Sequence, residues 1–280
     1  GMKEDYRNFL FESFVKLVDI YKPKAFIFEN VMGILSAKPG DQLITDRIYK
    51  AFGKIGYTIS DDLRKDALFD MSYYGIPQER KRVIIYGVPS KKSEKINEFY
   101  RELRIYKSDK QESLGRHLDK FTKFTPTKYK NDLFEYRSIG KNKYRNHTPR
   151  KHNKRDIEIF RILSEDIENE TFKYVSTEAK IKLYKKFTGI ESNFHKHHVL
   201  RKDKPSNTIP AHLYKDGLRH IHPDSKQARS ITPREAAAIQ TFPDSFEFLG
   251  SQTEQYKMIG NAVPPKFSNL IAKVLLKIHN

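Results

Sequence analysis

The sequence predicts an α/β fold, an incomplete doubly wound sheet joined to a smaller domain of irregular and β structure. Three observations carry that expectation. Over about the first ninety residues, helical and strand patterns alternate; from Lys91 to about Phe160 the periodicity fades while basic charge accumulates; the tail regains an amphipathic helical stripe. At 280 residues the chain can bury a substantial core, in one large domain or two smaller ones.

Taken in order, Leu10, Phe14, Leu17, Val18 and Tyr21 recur at helical spacing with apolar Phe11 and Val15 beside them. They predict a first helix covered on two sides and ended by Pro23. "AFIF" follows as a strand, then a helix opened by Asp41, with Ile44, Ile48, Ala51, Phe52 and Ile55 on one face and Gly56 as its stop. "YTISDDLRKDALFD" and "RVIIYGVP" read as two further strands. Strand, helix, strand is the pattern of an open α/β sheet, whose ligands gather beyond the carboxyl ends of the strands. Glu29 and Asn30 stand at such an end. Later, "TIPAHLYKDGLRHIHP" reads as a hairpin turning at Asp216 and Gly217. "SITPREAAAIQTFPD" reads as a helix with Thr232 as cap, Pro233 in its first turn and Glu235 closing a capping box, ended by Pro243. Phe267, Leu270, Ile271, Val274, Leu275 and Ile278 then form the apolar stripe of a final helix.

Lys and Arg number 53 against 35 acids, a formal charge of +18, which calls for a polyanionic partner, with nucleic acid as the leading candidate. Lys91 to Phe160 holds 20 of those cations against 10 acids, interleaved with Tyr, Phe and His, as in a surface touching nucleic-acid backbone and bases. No apolar run reaches transmembrane length and no N-terminal signal pattern is present, so no membrane partner is expected and the chain reads as cytoplasmic. Gly1 ahead of Met2 reads as an appended residue. Cysteine is absent, which excludes disulfides, thiolate metal sites and cysteine nucleophiles within the chain. "HKHH" at His195 to His198 reads as surface histidines, and no metal is expected.

Three short pieces carry the candidate chemistry. "FENV" at Phe28 to Val31 ends an apolar run in a carboxylate; alone it reads as Glu29 capping a βα turn, with Asn30 shaping the loop. In "YGIPQERKRVIIYGV", strand alternation puts Arg80 and Arg82 on one face and Glu79 and Lys81 on the other. Paired guanidiniums suit bidentate contacts to oxygen pairs, and Gln78 at the head of the motif is a further nucleic-acid candidate. "MIGNAVPP" gives a tight turn around Asn261. Together with "RSITPREAAAIQTFPDSFEF", these pieces resemble motifs VI, VIII, IX and X of the DNA cytosine-5-methyltransferase family, in the family's order.

That resemblance implies a partial Rossmann-like methyltransferase sheet over residues 2–92. A target-recognition domain would follow over 93–228, and a segment over 229–280 would return to the first domain. It assigns Glu29 the proton at ring N3 of an extruded cytosine, with desolvation at an apolar strand end keeping that proton available. It gives Arg80 and Arg82 the base and its flanking phosphates in double-stranded DNA, and sets Asn261 against the methionine part of S-adenosylmethionine. Ala262 departs from the small hydroxyl residue common in the family. Thr232, Arg234 and Glu235 are left as structural. The family's glycine-rich cofactor loop and Pro-Cys nucleophile pair are missing. The resemblance therefore implies a carboxy-terminal subunit of a split restriction-modification enzyme, inactive alone, sharing its cofactor with a partner chain that carries the Pro-Cys motif. An unpaired sheet edge and a final helix without its seat would await that partner. The alternatives are a DNA-binding accessory or remnant module that has lost catalysis, and a fragment of a longer polypeptide.

Overall fold

The computed structural model describes residues 10–191, 197–215 and 217–280. The chain divides into two compact units, one of residues 1–74, 80–109 and 267–280, the other of residues 75–79 and 110–266. Helix Glu94–Arg104 thus belongs with the first unit rather than with the expected middle segment, and from the closing segment only residues 267–280 join the first unit.

The first unit opens with α1 (Leu10–Tyr21), β1 (Phe26–Val31), α2 (Ile44–Lys54) and β2 (Tyr57–Ile59). It continues through α3 (Leu63–Asp66), β3 (Leu68–Asp70), β4 (Lys81–Pro89) and α4 (Glu94–Arg104). β4 is the hub of the sheet: β1 pairs along one edge, β2 and β3 along the other, all antiparallel to it. Its run Val83 to Val88 is buried throughout, as expected of a strand covered on both faces. The stretch expected as one strand, Tyr57 to Asp70, breaks in two because Asp62 accepts a hydrogen bond from Lys65 N at 3.0 Å and starts the single turn of α3.

The gap this leaves on the β4 edge is filled by a phenol. Tyr86 N donates to Tyr100 Oη at 3.1 Å, and Tyr100 Oη donates to Ile84 O at 3.0 Å. Tyr100 comes from α4, whose Ile96, Phe99, Tyr100 and Leu103 are buried. On the other sheet face Phe26 stacks on Phe52 at 4.5 Å, and Phe14 of α1 on Phe28 at 4.9 Å. Gly87 stands opposite Phe26 in the ladder, where any Cβ would lie 2.1 Å from the phenyl ring, so the ring needs glycine there.

The final helix (Pro265–His279) has a seat, contrary to expectation. Phe267 meets Phe69 and Tyr74 at 5.7 and 5.3 Å, and Tyr86 Oη lies 2.7 Å from His279 Nε2. Phe267, Ile271, Val274 and Ile278 are buried, each contributing roughly 1.5–3 kcal/mol. α1 is the element left half-covered. Phe11, Val15 and Val18 are buried, but Leu10, Leu17, Ile20 and Tyr21 lie exposed, so the helix is not covered on two sides by the described residues. β1 likewise pairs only with β4 among them.

The second unit holds α5 (Gly115–Leu118), β5 (Phe124–Lys130), β6 (Leu133–Ser138), β7 (His152–Asn153) and α6 (Lys154–Glu168). α7 (Thr177–Thr188), α8 (Pro233–Ile239) and α9 (Gln252–Asn261) complete it. The three strands form an antiparallel sheet in the order β5, β6, β7. The expected capping box is present, Thr232 and Glu235 exchanging bonds at the start of α8. Glu235 also takes both Nη groups of fully buried Arg229, at 2.7 and 2.6 Å. Arg234 ties down the loop after α8 through the carbonyls of Pro243 and Phe246. The hairpin expected at Thr208 to Pro223 does not form. Tight turns close at Pro210 and His212, a 3₁₀ turn spans Gly217–Arg219, and Ile221 bridges singly to Val199 and Ser230. Asp216 lies outside the described residues. No described helix is long and apolar enough to cross a membrane.

Candidate active site

The β1–β4 ladder places the carboxylate. Glu29 stands opposite Ile84 and Val31 opposite Arg82, so Glu29 and Arg82 are diagonal neighbours on one face. Arg82 Nε lies 2.9 Å from Glu29 Oε1, with the two side chains 13% and 27% exposed. The carboxylate is therefore clamped by a guanidinium and open to solvent, not sealed into an apolar strand end. Arg82 is fixed further by Nη1, which donates to its neighbour's carbonyl, Lys81 O, at 2.8 Å.

Arg80, 2% exposed, sits one step before β4 within electrostatic reach of both. Burial above all, then the charge of Arg82, pushes it down to about 10, and Glu29 acts in the opposite direction. Arg82 is also lowered, by burial, with Glu29 opposing. Glu29, Arg82 and Arg80 thus form one charged cluster. It favours an electron-rich guest that can accept from guanidinium while donating to the carboxylate.

Gln78 plays a different part from the one expected of it. It is fully buried within the second unit. Its Oε1 accepts from Ile209 N at 2.7 Å and its Nε2 donates to Gln240 Oε1 at 2.9 Å. Gln240 Nε2 in turn donates to Ile259 O at 2.7 Å, just ahead of the Asn261 turn. Backbone groups at both ends fix which way each amide points. Gln78 is thus a structural link, inaccessible to nucleic acid in this conformation. Asn261, the last residue of α9, is exposed on the second unit; Glu29, Arg80 and Arg82 belong to the first.

Asn30 Oδ1 accepts from Val31 N at 2.9 Å, a bond that shapes the strand exit. Its side chain also borders an apolar cavity of about 470 Å³, with Phe28, Val31 and Ile34. Of the histidine run, His195 lies outside the described residues, and His197 and His198 line a small cleft in the second unit. Among the described residues no three His, Asp or Glu are placed to hold a metal. His147 is a packing residue, with Nδ1 2.8 Å from Thr232 Oγ1 and Nε2 2.9 Å from Thr122 O.

The model of the C-5 cytosine-specific DNA methylase family matches residues 1–277. The chain belongs to that family. A Type II methyltransferase of Bacillus paralicheniformis is 36% identical over 99% of this chain and 65% of its own length. One of Desulfomicrobium norvegicum is 29% identical over 97% of this chain and 67% of its own length. The chain thus spans about two thirds of the length of these relatives. Among solved structures, a putative DNA modification methyltransferase encoded within a prophage (E. coli) superposes with a TM-score of 0.57 at 22% identity, over 99% of this chain and 75% of that one. The S. pombe Dnmt2 methyltransferase gives 0.54 at 14% identity, over 99% and 75%. These structures support the α/β methyltransferase fold.

Proposed function

We propose that this chain supplies the base-binding and proton-handling part of a DNA cytosine-5-methyltransferase of the restriction-modification type, acting on duplex DNA. The thiol nucleophile and the cofactor loop would come from polypeptide outside this sequence, as a partner subunit. The observation that carries the reading is the Glu29–Arg82 pair, with Arg80 beside it, in a chain without cysteine.

Cytosine offers an amine donor at N4 and acceptors at N3 and O2. Glu29 has one oxygen on Arg82 and another to accept from N4; protonated, it can donate at N3. The Arg82 guanidinium is suited to O2 or to the adjoining phosphate, whereas Arg80, too buried for the phosphate contact expected of it, adds its charge from nearby. As a thiolate adds to carbon 6, the C–S bond forms and the ring's displaced electron pair builds negative charge toward N3. A proton from Glu29 and two nearby cations stabilise that charge. Once carbon 5 has exchanged its proton for the methyl group, that proton passing to water, the C–S bond breaks and Glu29 takes the N3 proton back. The arrangement needs an extruded base, because N3 and N4 are paired inside the duplex.

For S-adenosylmethionine the fit is partial. The cavity beside Phe28, Asn30 and Val31 offers an apolar wall, but among the described residues that wall carries no acid for a ribose hydroxyl. When bound, the cofactor supplies the methyl group that goes to carbon 5; this chain's own share is the pyrimidine.

The test is reconstitution. The chain is mixed with a polypeptide carrying the glycine-rich loop and Pro-Cys pair, labelled S-adenosylmethionine and duplex DNA. Label should enter cytosine only when both polypeptides are present. Tight assembly without any transfer would favour a DNA-binding module that has lost catalysis.

A further inference from the structure

A second cleft on the first unit is lined by neither Glu29 nor Arg82. It measures about 370 Å³ and opens where β3, the 3₁₀ turn Met71–Tyr74, the start of β4 and the end of α4 meet. Lys65, Lys81, Arg104 and Lys107 line it, together with Tyr73 and Tyr74. One carboxylate reaches the wall, Asp70, and its Oδ1 already accepts from Ser72 N at 3.1 Å and Ser72 Oγ at 2.6 Å. Arg104 is anchored as well. Its Nη2 donates to Lys65 O at 2.8 Å and Asp66 O at 2.9 Å, and lies 3.6 Å from the Asp66 carboxylate. Lys65, Lys81 and Lys107 make no ion pair among the described residues.

Three such ammonium groups around one opening repel each other until an anion enters. The wall between them is aromatic. Lys107 Nζ stands 5.4 Å from the centre of the Tyr73 ring, which holds that ring beside a cation. Burial pushes the Tyr74 phenol up to about 12, so it stays neutral and able to donate a hydrogen bond. The volume lies within the range of small-ligand sites and has room for a phosphate and one planar ring.

We infer that this cleft seats a nucleotide unit, its phosphate among Lys65, Lys81 and Lys107 and its base against Tyr73. A strand of nucleic acid and a free nucleotide share that chemistry. The site goes beyond the methyl-transfer reading and needs no thiol, no methyl donor and no second polypeptide. Its test therefore stands or falls separately from that proposal.

The test measures anisotropy of a short labelled single strand with the full chain, using matching duplex, AMP and inorganic phosphate as competitors. The variant K65Q/K81Q/K107Q is set against K16Q/K50Q/K273Q, an equal charge change at exposed lysines on helices of the same unit. The cleft variant should bind at least about tenfold more weakly than the control, with its salt slope reduced by about 0.7, the value for one phosphate no longer neutralised. Tyr73→Ala should weaken binding where Tyr73→Phe does not. Should the triple variant prove unstable, K107Q alone must shift binding in the same direction. Displacement by AMP at strand-like concentrations identifies a free nucleotide as the guest, and displacement by nucleic acid alone identifies a strand. Equal losses in the cleft and control variants, or phosphate competing as well as AMP, would overturn the inference.

Discussion

Glu29→Gln is expected to lower methyl transfer by the completed enzyme by about 100- to 10,000-fold, the range for loss of one positioned proton donor. The amide keeps the shape and still accepts from an exocyclic amine, so binding of duplex DNA should change by no more than a few fold. It cannot hold or return a proton at N3, and it leaves Arg82 without the carboxylate 2.9 Å from its Nε. The side chain is partly exposed, so the fold should survive, with a thermal midpoint within a few degrees of the parent. Single-turnover rates with labelled methyl donor, measured beside a DNA-binding isotherm, separate the two effects. A fall in affinity that accounts for the whole loss of rate would make Glu29 a binding residue only.

The second large effect concerns acid. His152, His220 and His222 of the second unit are all held at about 3, in each case chiefly by burial. Arg150 and Arg229 add to the shift at His152, and His198 to that at His220. At His222 Arg229 adds to it, while Glu235 and Asp224 oppose. The folded chain keeps these rings neutral, whereas the unfolded chain protonates them below about 6.5. The unfolded state therefore binds more protons as pH falls from about 6.5 toward 3. The stability these rings confer is whole above that window and is lost through it. Three rings together give a slope approaching ~4 kcal/mol per pH unit in the middle of the window. Glu235, held well below the carboxylate range chiefly by Arg229 against its own burial, adds a loss of the same sign below about 4.5. Urea midpoints at pH 7, 6 and 5 should fall increasingly steeply, and unfolding at pH 5 should take up at least about three protons. A flat profile would mean that the rings are hydrated in the folded chain. His152→Asn should remove one proton from the uptake.

Much of the fold was legible because each signal was local. β4 announces itself as an unbroken apolar run, α8 by its capping box, and the final helix by its stripe. Other elements needed partners that sequence spacing does not reveal. Gln78 reads like any polar residue ahead of an Arg-rich strand. Its role is set by Gln240 and Ile209, which only the folded chain brings to it. α4 was hidden by its charges, although Ile96, Phe99, Tyr100 and Leu103 carry the helical period. The first arm before Asp216 carries alternating Ile209, Ala211 and Leu213, yet the turns at Pro210 and His212 break it before it can pair. At the site, the FENV carboxylate was legible and its clamp was not. Alternation set Arg80 and Arg82 on one face, but the diagonal register that gives Glu29 to Arg82 belongs to the β1–β4 ladder.

The central claim is that this chain activates a pyrimidine for a thiol it does not possess. Duplex DNA carrying 5-fluorocytosine at the target position would stall the reaction as a covalent adduct, whose location intact-mass spectrometry reads directly. The adduct should form on the cysteine-bearing polypeptide, only in the presence of this chain, and about 100-fold or more slowly with Glu29→Gln. Adduct formation at full rate without this chain, or at an unchanged rate with Glu29→Gln, would contradict the account.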